Sequence, residues 1–132
     1  NYRGFTAYGM SKLANVLFTY ELASRLAGTG VTANCLHPGT VATNLLRQIP
    51  RWLYALLSPF LLTAAQGADT VVFLAAFPDI EGVTGGYFVK CRPVRSSKRS
   101  YDASARARLW DVSETLVNAH LAARPASTNS TT

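Results

Sequence analysis

Apolar positions from Ala7 to Ala27 follow a helical rather than an alternating rhythm. The segment is rich in Ala, Leu, Met and Lys, holds no proline, and is followed by Gly28 and Gly30. That composition and those stop signals predict one long helix. Met10, Leu13, Ala14, Val16, Leu17, Phe18, Leu22 and Leu26 spread over more than one face. The helix is therefore expected to be covered on most sides, by its own sheet and by a second subunit.

Val31 to Leu36 reads VTANCL. It predicts a short strand without clean alternation, as a strand buried on both faces has. His37-Pro38-Gly39 breaks it. From Pro38 to Leu62 the chain is irregular, with a short helix expected at Trp52 to Leu57 between Pro50 and Pro59. Thr63-Ala64-Ala65-Gln66 fits a capping box that opens a helix running to Phe77. Gly82, Gly85 and Gly86 mark turns before a second strand, Tyr87-Phe88-Val89. Strand, helix and strand in this order predict a parallel pair. Cys91 to Ser100 is basic and loop-like. Asp102 to His120 predicts a last helix, with Leu109, Trp110, Val112, Leu116 and Val117 on its apolar side. Residues 1–121 form the expected folded body, and 122–132 a polar tail expected to be disordered.

Two strands do not make a stable parallel sheet alone, and a parallel sheet needs both faces covered. The sequence holds the helices and edge strands of an α/β fold without its sheet centre. Part of the domain is expected to lie outside it.

Composition agrees with a packed body: 48% of residues are hydrophobic and 15% charged, and 132 residues fit one domain. The net charge of +6 favours anionic partners. Cys35 and Cys91 form no metal or redox motif and are expected to be free thiols. His37 has no second ligand beside it, so no metal site is expected. No apolar run reaches the length that spans a bilayer.

Tyr8 and Lys12 stand four apart at the start of the first helix, on one face. An ammonium beside a phenol favours the phenolate, so a lysine-assisted tyrosine serves as a general acid and base. The spacing alone is also that of an ordinary exposed helix pair. Its surroundings narrow the choice. Tyr8-Gly9-Met10-Ser11-Lys12-Leu13-Ala14-Asn15 resembles the YxxSKLAN segment of the short-chain dehydrogenase/reductase family. Gly30 to Gly39, GVTANCLHPG, is similar to that family's GVTVNxxHPG strand and turn, and Val41 and Thr43 continue its PGxVxT pattern. Gly67-Ala68, Gly82 to Phe88 and Leu109 to Ser113 resemble the branch with retinol dehydrogenase-like and WW-domain-containing oxidoreductase-like proteins.

The resemblance implies the C-terminal portion of a doubly wound, Rossmann-like parallel sheet. The N-terminal cofactor-binding half is expected to be absent. The resemblance implies an NAD(P)-dependent oxidoreductase that interconverts an alcohol and a carbonyl, with NADP taken before NAD. Tyr8 would exchange a proton with the substrate oxygen. Lys12 would assist it and bind the nicotinamide ribose. Pro38 and Gly39 would bring backbone close to the nicotinamide, Val41 would meet its carboxamide, and Thr43 would hold the carboxamide or diphosphate. The family's Gly-rich turn, with diphosphate over a helix N-terminus, has no counterpart here. Its catalytic serine and relay asparagine fall upstream, as do the residues that separate NAD from NADP.

Ile49 to Leu62, IPRWLYALLSPFLL, stands where the family builds its substrate lid, with Trp52 and Leu56 as candidate lid residues. Its apolar character suits a small apolar alcohol or carbonyl substrate, peripheral contact with a membrane, or a packing helix. Arg92, Arg95, Lys98 and Arg99 lack the aromatic platforms of a nucleic-acid surface, and none is expected to bind one. They read as a solvated loop, with acidic lipid as a lesser partner. A homodimer through the first helix is implied by resemblance. A cytoplasmic location, or a peripheral one on an intracellular membrane, is expected. The rival reading is a noncatalytic truncated product, or a dimerising or binding module.

Overall fold

The computed structural model describes residues 4–39, 50, 52 and 63–123. Helix α1 spans Gly4–Arg25. It begins ahead of the expected Ala7 and ends in turns at which Gly28 and Gly30 take φ of 80° and 79°. Leu17, Tyr20 and Ala23 form its buried strip. The expected cover on most sides is not found within the described residues: Phe5 is 96% and Met10 53% exposed. The reason is size. Twenty-two residues of helix reach about 33 Å, whereas a three-residue strand reaches about 10 Å.

Strand β1 is Cys35–His37, shorter than the expected Val31 to Leu36. Ahead of it, the Ala33 carbonyl accepts from Gly85 N–H at 2.8 Å, but two N–H groups turn to side chains. Val31 N–H donates to Thr29 Oγ1, and Ala33 N–H to Thr84 Oγ1 at 3.0 Å. Helix α2, Ala64–Ala76, opens with the expected capping box. Thr63 Oγ1 accepts from Gln66 N–H at 3.2 Å, and Gln66 Oε1 accepts from Thr63 N–H at 2.9 Å. A 3₁₀ turn, Pro78–Ile80, follows. Strand β2, Tyr87–Val89, then pairs parallel with β1, in register Cys35 to Tyr87 and His37 to Val89. Phe88 is the centre of the core at 1% exposure, and its ring lies 6.3 Å from that of Phe73 on α2.

The segment expected to be a loop from Cys91 to Ser100 holds regular structure. Strand β3, Arg92–Pro93, pairs antiparallel with β2, and a 3₁₀ turn covers Lys98–Tyr101. The hairpin turns on Lys90 and Cys91, both left-handed with φ of 50° and 59°. Neither residue is a glycine or asparagine, which hid the turn from the sequence. Thr70 on α2, buried, holds it by accepting from Cys91 N–H at 3.2 Å. The sheet order is β1-β2-β3, so the described residues form a mixed α/β fold with a small sheet.

Helix α3, Ala103–Ala123, is capped by Asp102, whose Oδ1 accepts from the backbone of Ser104 and Ala105. Trp110 stacks on Phe18 of α1 at 5.1 Å and lies 4.5 Å under the Arg25 guanidinium. The expected apolar side is only partly used. Leu109 and Trp110 are half-buried, but Val112, Leu116 and Val117 are exposed, because among the described elements α1 alone packs along α3. The body boundary at residue 121 falls inside α3, and residues 124–132 of the expected tail lie outside the described residues.

Candidate active site

Helical spacing divides α1 into strips. Leu17, Tyr20 and Ala23 are buried, Phe18 and Arg25 meet Trp110, and Tyr8, Ser11, Lys12 and Asn15 share an exposed polar strip. Within that strip the Lys12 Nζ lies 5.4 Å from the centroid of the Tyr8 ring. The ammonium therefore rests over the ring face, where the π-system attracts it. Among the described residues no side chain hydrogen-bonds the Tyr8 hydroxyl, which leaves it open to an incoming oxygen.

Lys12 also lines a cleft of about 410 Å³ with Met10, Leu13, Tyr87, Ser96 and Arg99. Sequence reading did not bring Ser96 or Arg99 to this place. Their segment reaches α1 through a hydroxyl network: the Tyr20 and Ser96 hydroxyls lie 2.7 Å apart, and those of Ser96 and Ser100 2.6 Å. Ser96 N–H donates to Tyr101 Oη at 3.2 Å. Burial pushes Tyr20 up to about 12, against the ordinary tyrosine value. Tyr101 moves the other way, through its hydrogen bonds with Ser96 and Tyr20. Burial also raises the Cys35 thiol and the Tyr87 phenol. Cys35 and Cys91 are both free, and among the described residues no three His, Cys, Asp or Glu side chains gather into a metal-binding group.

Pro38 and Gly39 follow the carboxyl end of β1. Gly39 takes φ of 80°, a conformation that favours glycine, and its N–H donates to His37 Nδ1 at 2.9 Å. Pro38 lines a separate recess of about 240 Å³ with Gln66, Asp69, Thr70, Lys90 and Cys91. Behind this end, Asn34 fastens the two parallel strands. Its Oδ1 accepts from Gly86 N–H at 2.8 Å, and its Nδ2 donates to Val83 carbonyl at 2.7 Å. Trp52 is exposed, at 70%. Val41, Thr43 and Leu56 lie outside the described residues.

A nicotinamide cofactor finds part of what it needs. The exposed Tyr8–Lys12 pair offers a phenol and an ammonium, and the Gly39 turn offers backbone without a Cβ in the way. A diphosphate finds less. The N-terminus of α2 has its own capping box on it, so the N–H groups of Thr63 and Gln66 already have partners.

Residues 1–53 match the family model described as short chain dehydrogenase. Retinol dehydrogenase 14 of Mus musculus is 47% identical over 123 residues, which cover 89% of this chain and 37% of that protein. Retinol dehydrogenase 12 of Homo sapiens is 47% identical over 113 residues, covering 84% and 35%. WW domain-containing oxidoreductase of Danio rerio is 38% identical over 120 residues, covering 89% and 29%. The chain thus spans between 29% and 37% of the length of these relatives.

Proposed function

Because this chain belongs to the short-chain dehydrogenase/reductase family, on its retinol dehydrogenase-like branch, we propose that it forms the proton-transfer side of an NAD(P)-dependent oxidoreductase. The reaction interconverts an alcohol and a carbonyl, and its sheet is the C-terminal portion of a doubly wound fold over residues 1–121. The observation that carries this reading is the Tyr8–Lys12 pair on the one exposed polar strip of α1. Tyr8 Oη holds the proton that passes to the carbonyl oxygen in reduction and returns in oxidation. Lys12 would stabilise the negative charge that Tyr8 carries after the transfer, and its ammonium would bind a ribose hydroxyl. Pro38, Gly39, Val41 and Thr43 would hold the nicotinamide end. When bound, the cofactor supplies or accepts hydride at the substrate carbon.

The retinol dehydrogenases among the relatives support an apolar substrate, as does the apolar run Ile49 to Leu62 with Trp52 and Leu56 as lid residues. The same run supports peripheral contact with an intracellular membrane. The described residues hold no helix long and apolar enough to cross one.

The test is a chimera that joins the preceding residues of a retinol dehydrogenase 14 to this chain. Turnover of an apolar alcohol, with NADP and NAD in parallel, is expected. Tyr8→Phe should lower kcat by roughly 100-fold or more, the size of general acid–base catalysis. A Tyr8→Phe chimera with undiminished kcat would refute the reading. The 132-residue chain by itself is expected to bind NADPH and NADH weakly, and saturable micromolar binding in a fluorescence titration would contradict that.

A second reading has its own observation. Phe5 and Met10 on α1, and Val112 and Leu116 on α3, are exposed. Large apolar side chains so placed support an association module, through α1 with a second copy. Sedimentation of the chain across a concentration series separates a defined dimer from a monomer.

A further inference from the structure

Between Glu81 and Asp102 the chain carries five cations, Lys90, Arg92, Arg95, Lys98 and Arg99, and no carboxylate. Lys90 shares its recess with Asp69 and is set aside. The other four are exposed, and among the described residues none has a carboxylate within salt-bridge reach. They are not on a slack loop. Arg92 sits on β3, Lys98 and Arg99 on the 3₁₀ turn, and Arg95 immediately precedes Ser96, whose hydroxyl meets those of Tyr20 and Ser100. The Tyr20–Ser96–Ser100 hydroxyl network ties this segment to α1, and Thr70 ties its hairpin to α2. Held in place, four like charges repel one another and gain most from an opposing anionic surface.

The edge also stays accessible. Added strands find a free partner at β1, the far end of the order β1-β2-β3. At the near end, β3 is two residues long, and Pro93 has no N–H to give, so extension there is blocked. Val94, 42% exposed, puts an apolar side chain amid the cations. Nucleic acid is less well matched, since Tyr101 is the one exposed aromatic of this edge and its hydroxyl already accepts from Ser96.

We infer that the β3 edge and the following 3₁₀ turn form a docking surface for an anionic membrane. Arg92, Arg95, Lys98 and Arg99 are the contacts, and Val94 enters the interface. Of these contacts Arg99 also lines the Lys12 cleft, whereas Arg92, Val94, Arg95 and Lys98 do not.

Co-sedimentation of the 132-residue chain with phosphatidylcholine vesicles, with and without phosphatidylserine, tests it. Binding is expected only with phosphatidylserine, and should weaken as salt rises. Each cation near an anionic surface contributes about fivefold, so changing all four to Gln should weaken binding by roughly 100-fold or more. The pair Arg92→Gln/Lys98→Gln should weaken it by roughly 25-fold, and serves if the fourfold variant loses its circular dichroism. Three outcomes overturn the inference: equal binding to vesicles without phosphatidylserine, unchanged binding by the pair variant, or tighter binding to single-stranded RNA than to the anionic vesicles. In the chimera, the Arg92→Gln/Lys98→Gln pair, which lies outside the Lys12 cleft, should leave turnover unchanged.

Discussion

Gly86→Ala puts a measurable strain on the base of the parallel pair. A Cβ built at Gly86 would stand 2.4 Å from Phe88 Cε2 and 3.1 Å from both Phe88 Cζ and Asn34 Oδ1. Optimal carbon contacts lie at about 3.5–4.0 Å, so the ring edge must retreat by more than 1 Å. It has little room to do so, because Phe88 is 1% exposed and packs against Phe73. The cost should fall at the top of the overpacking range, about 3 kcal/mol. With a urea slope of about 1–3 kcal/mol per molar, the midpoint should drop by roughly 1–3 M. Phe88→Leu alone should cost about 1–2 kcal/mol through lost packing. It also removes the ring atoms that clash. The double variant should therefore be less damaged than the sum of the singles, by about 1 kcal/mol or more. Strictly additive costs would refute the reasoning, since the strain would not then run through the Phe88 ring. An unchanged midpoint for Gly86→Ala would refute the close approach itself.

Other perturbations test separate parts of the fold. Tyr20 is raised to about 12 by burial, above an unfolded value of about 10. Its contribution to stability is complete below the unfolded value and is lost as pH rises through the folded one. Urea midpoints should therefore fall between about pH 10 and 12, and less steeply in Tyr20→Phe; equal slopes would count against burial as the cause. The left-handed Lys90 and Cys91 cost the chain conformational energy, so Lys90→Asn/Cys91→Gly should stabilise it by about 1 kcal/mol in thermal unfolding. A fall in Tm would show that the turn has another geometry. Thr63→Ala removes half of the capping box on α2 and should cost about 1 kcal/mol, read from the same unfolding curves.

The sequence disclosed those features that rest on local chemistry. Thr63 and Gln66 announce the start of α2 because a capping box is a four-residue event. Tyr87-Phe88-Val89 announces β2 because three β-formers follow a glycine cluster. The four-residue spacing of Tyr8 and Lys12 placed both on one face, since helix periodicity alone decides that. It could not say that the Lys12 ammonium would rest over the Tyr8 ring. Features that depend on distant partners stayed hidden. β1 begins late because Thr84, 51 residues away, takes the Ala33 N–H that a longer ladder would use. β3 went unseen because its turn residues are Lys and Cys, and Thr70 on another element holds the second of them. Ser96 and Arg99 reached the Lys12 cleft only because Tyr20 draws Ser96 onto α1. Each of these is a tertiary contact with no periodic trace.

The arrangement of free and used surface carries its own argument about assembly. β1 has one ladder partner, on its β2 side, and its other side pairs with no described strand. α1 buries only one strip along its length, while Tyr8 and Lys12 stand on an exposed one. A catalytic tyrosine works in a site that excludes water and holds the substrate in place. Neither condition is met by an exposed helix strip alone. If Tyr8 transfers the proton as proposed, whatever covers the polar strip of α1 completes the site, and the free side of β1 is where a neighbouring strand would bring it. If the proton-transfer reading holds, turnover and cover should rise together. Tyr8 should be modified readily by a tyrosine-directed reagent in the 132-residue chain and be protected in the chimera. Equal modification in both would mean that the added residues do not close over α1, and that any activity of the chimera arises elsewhere.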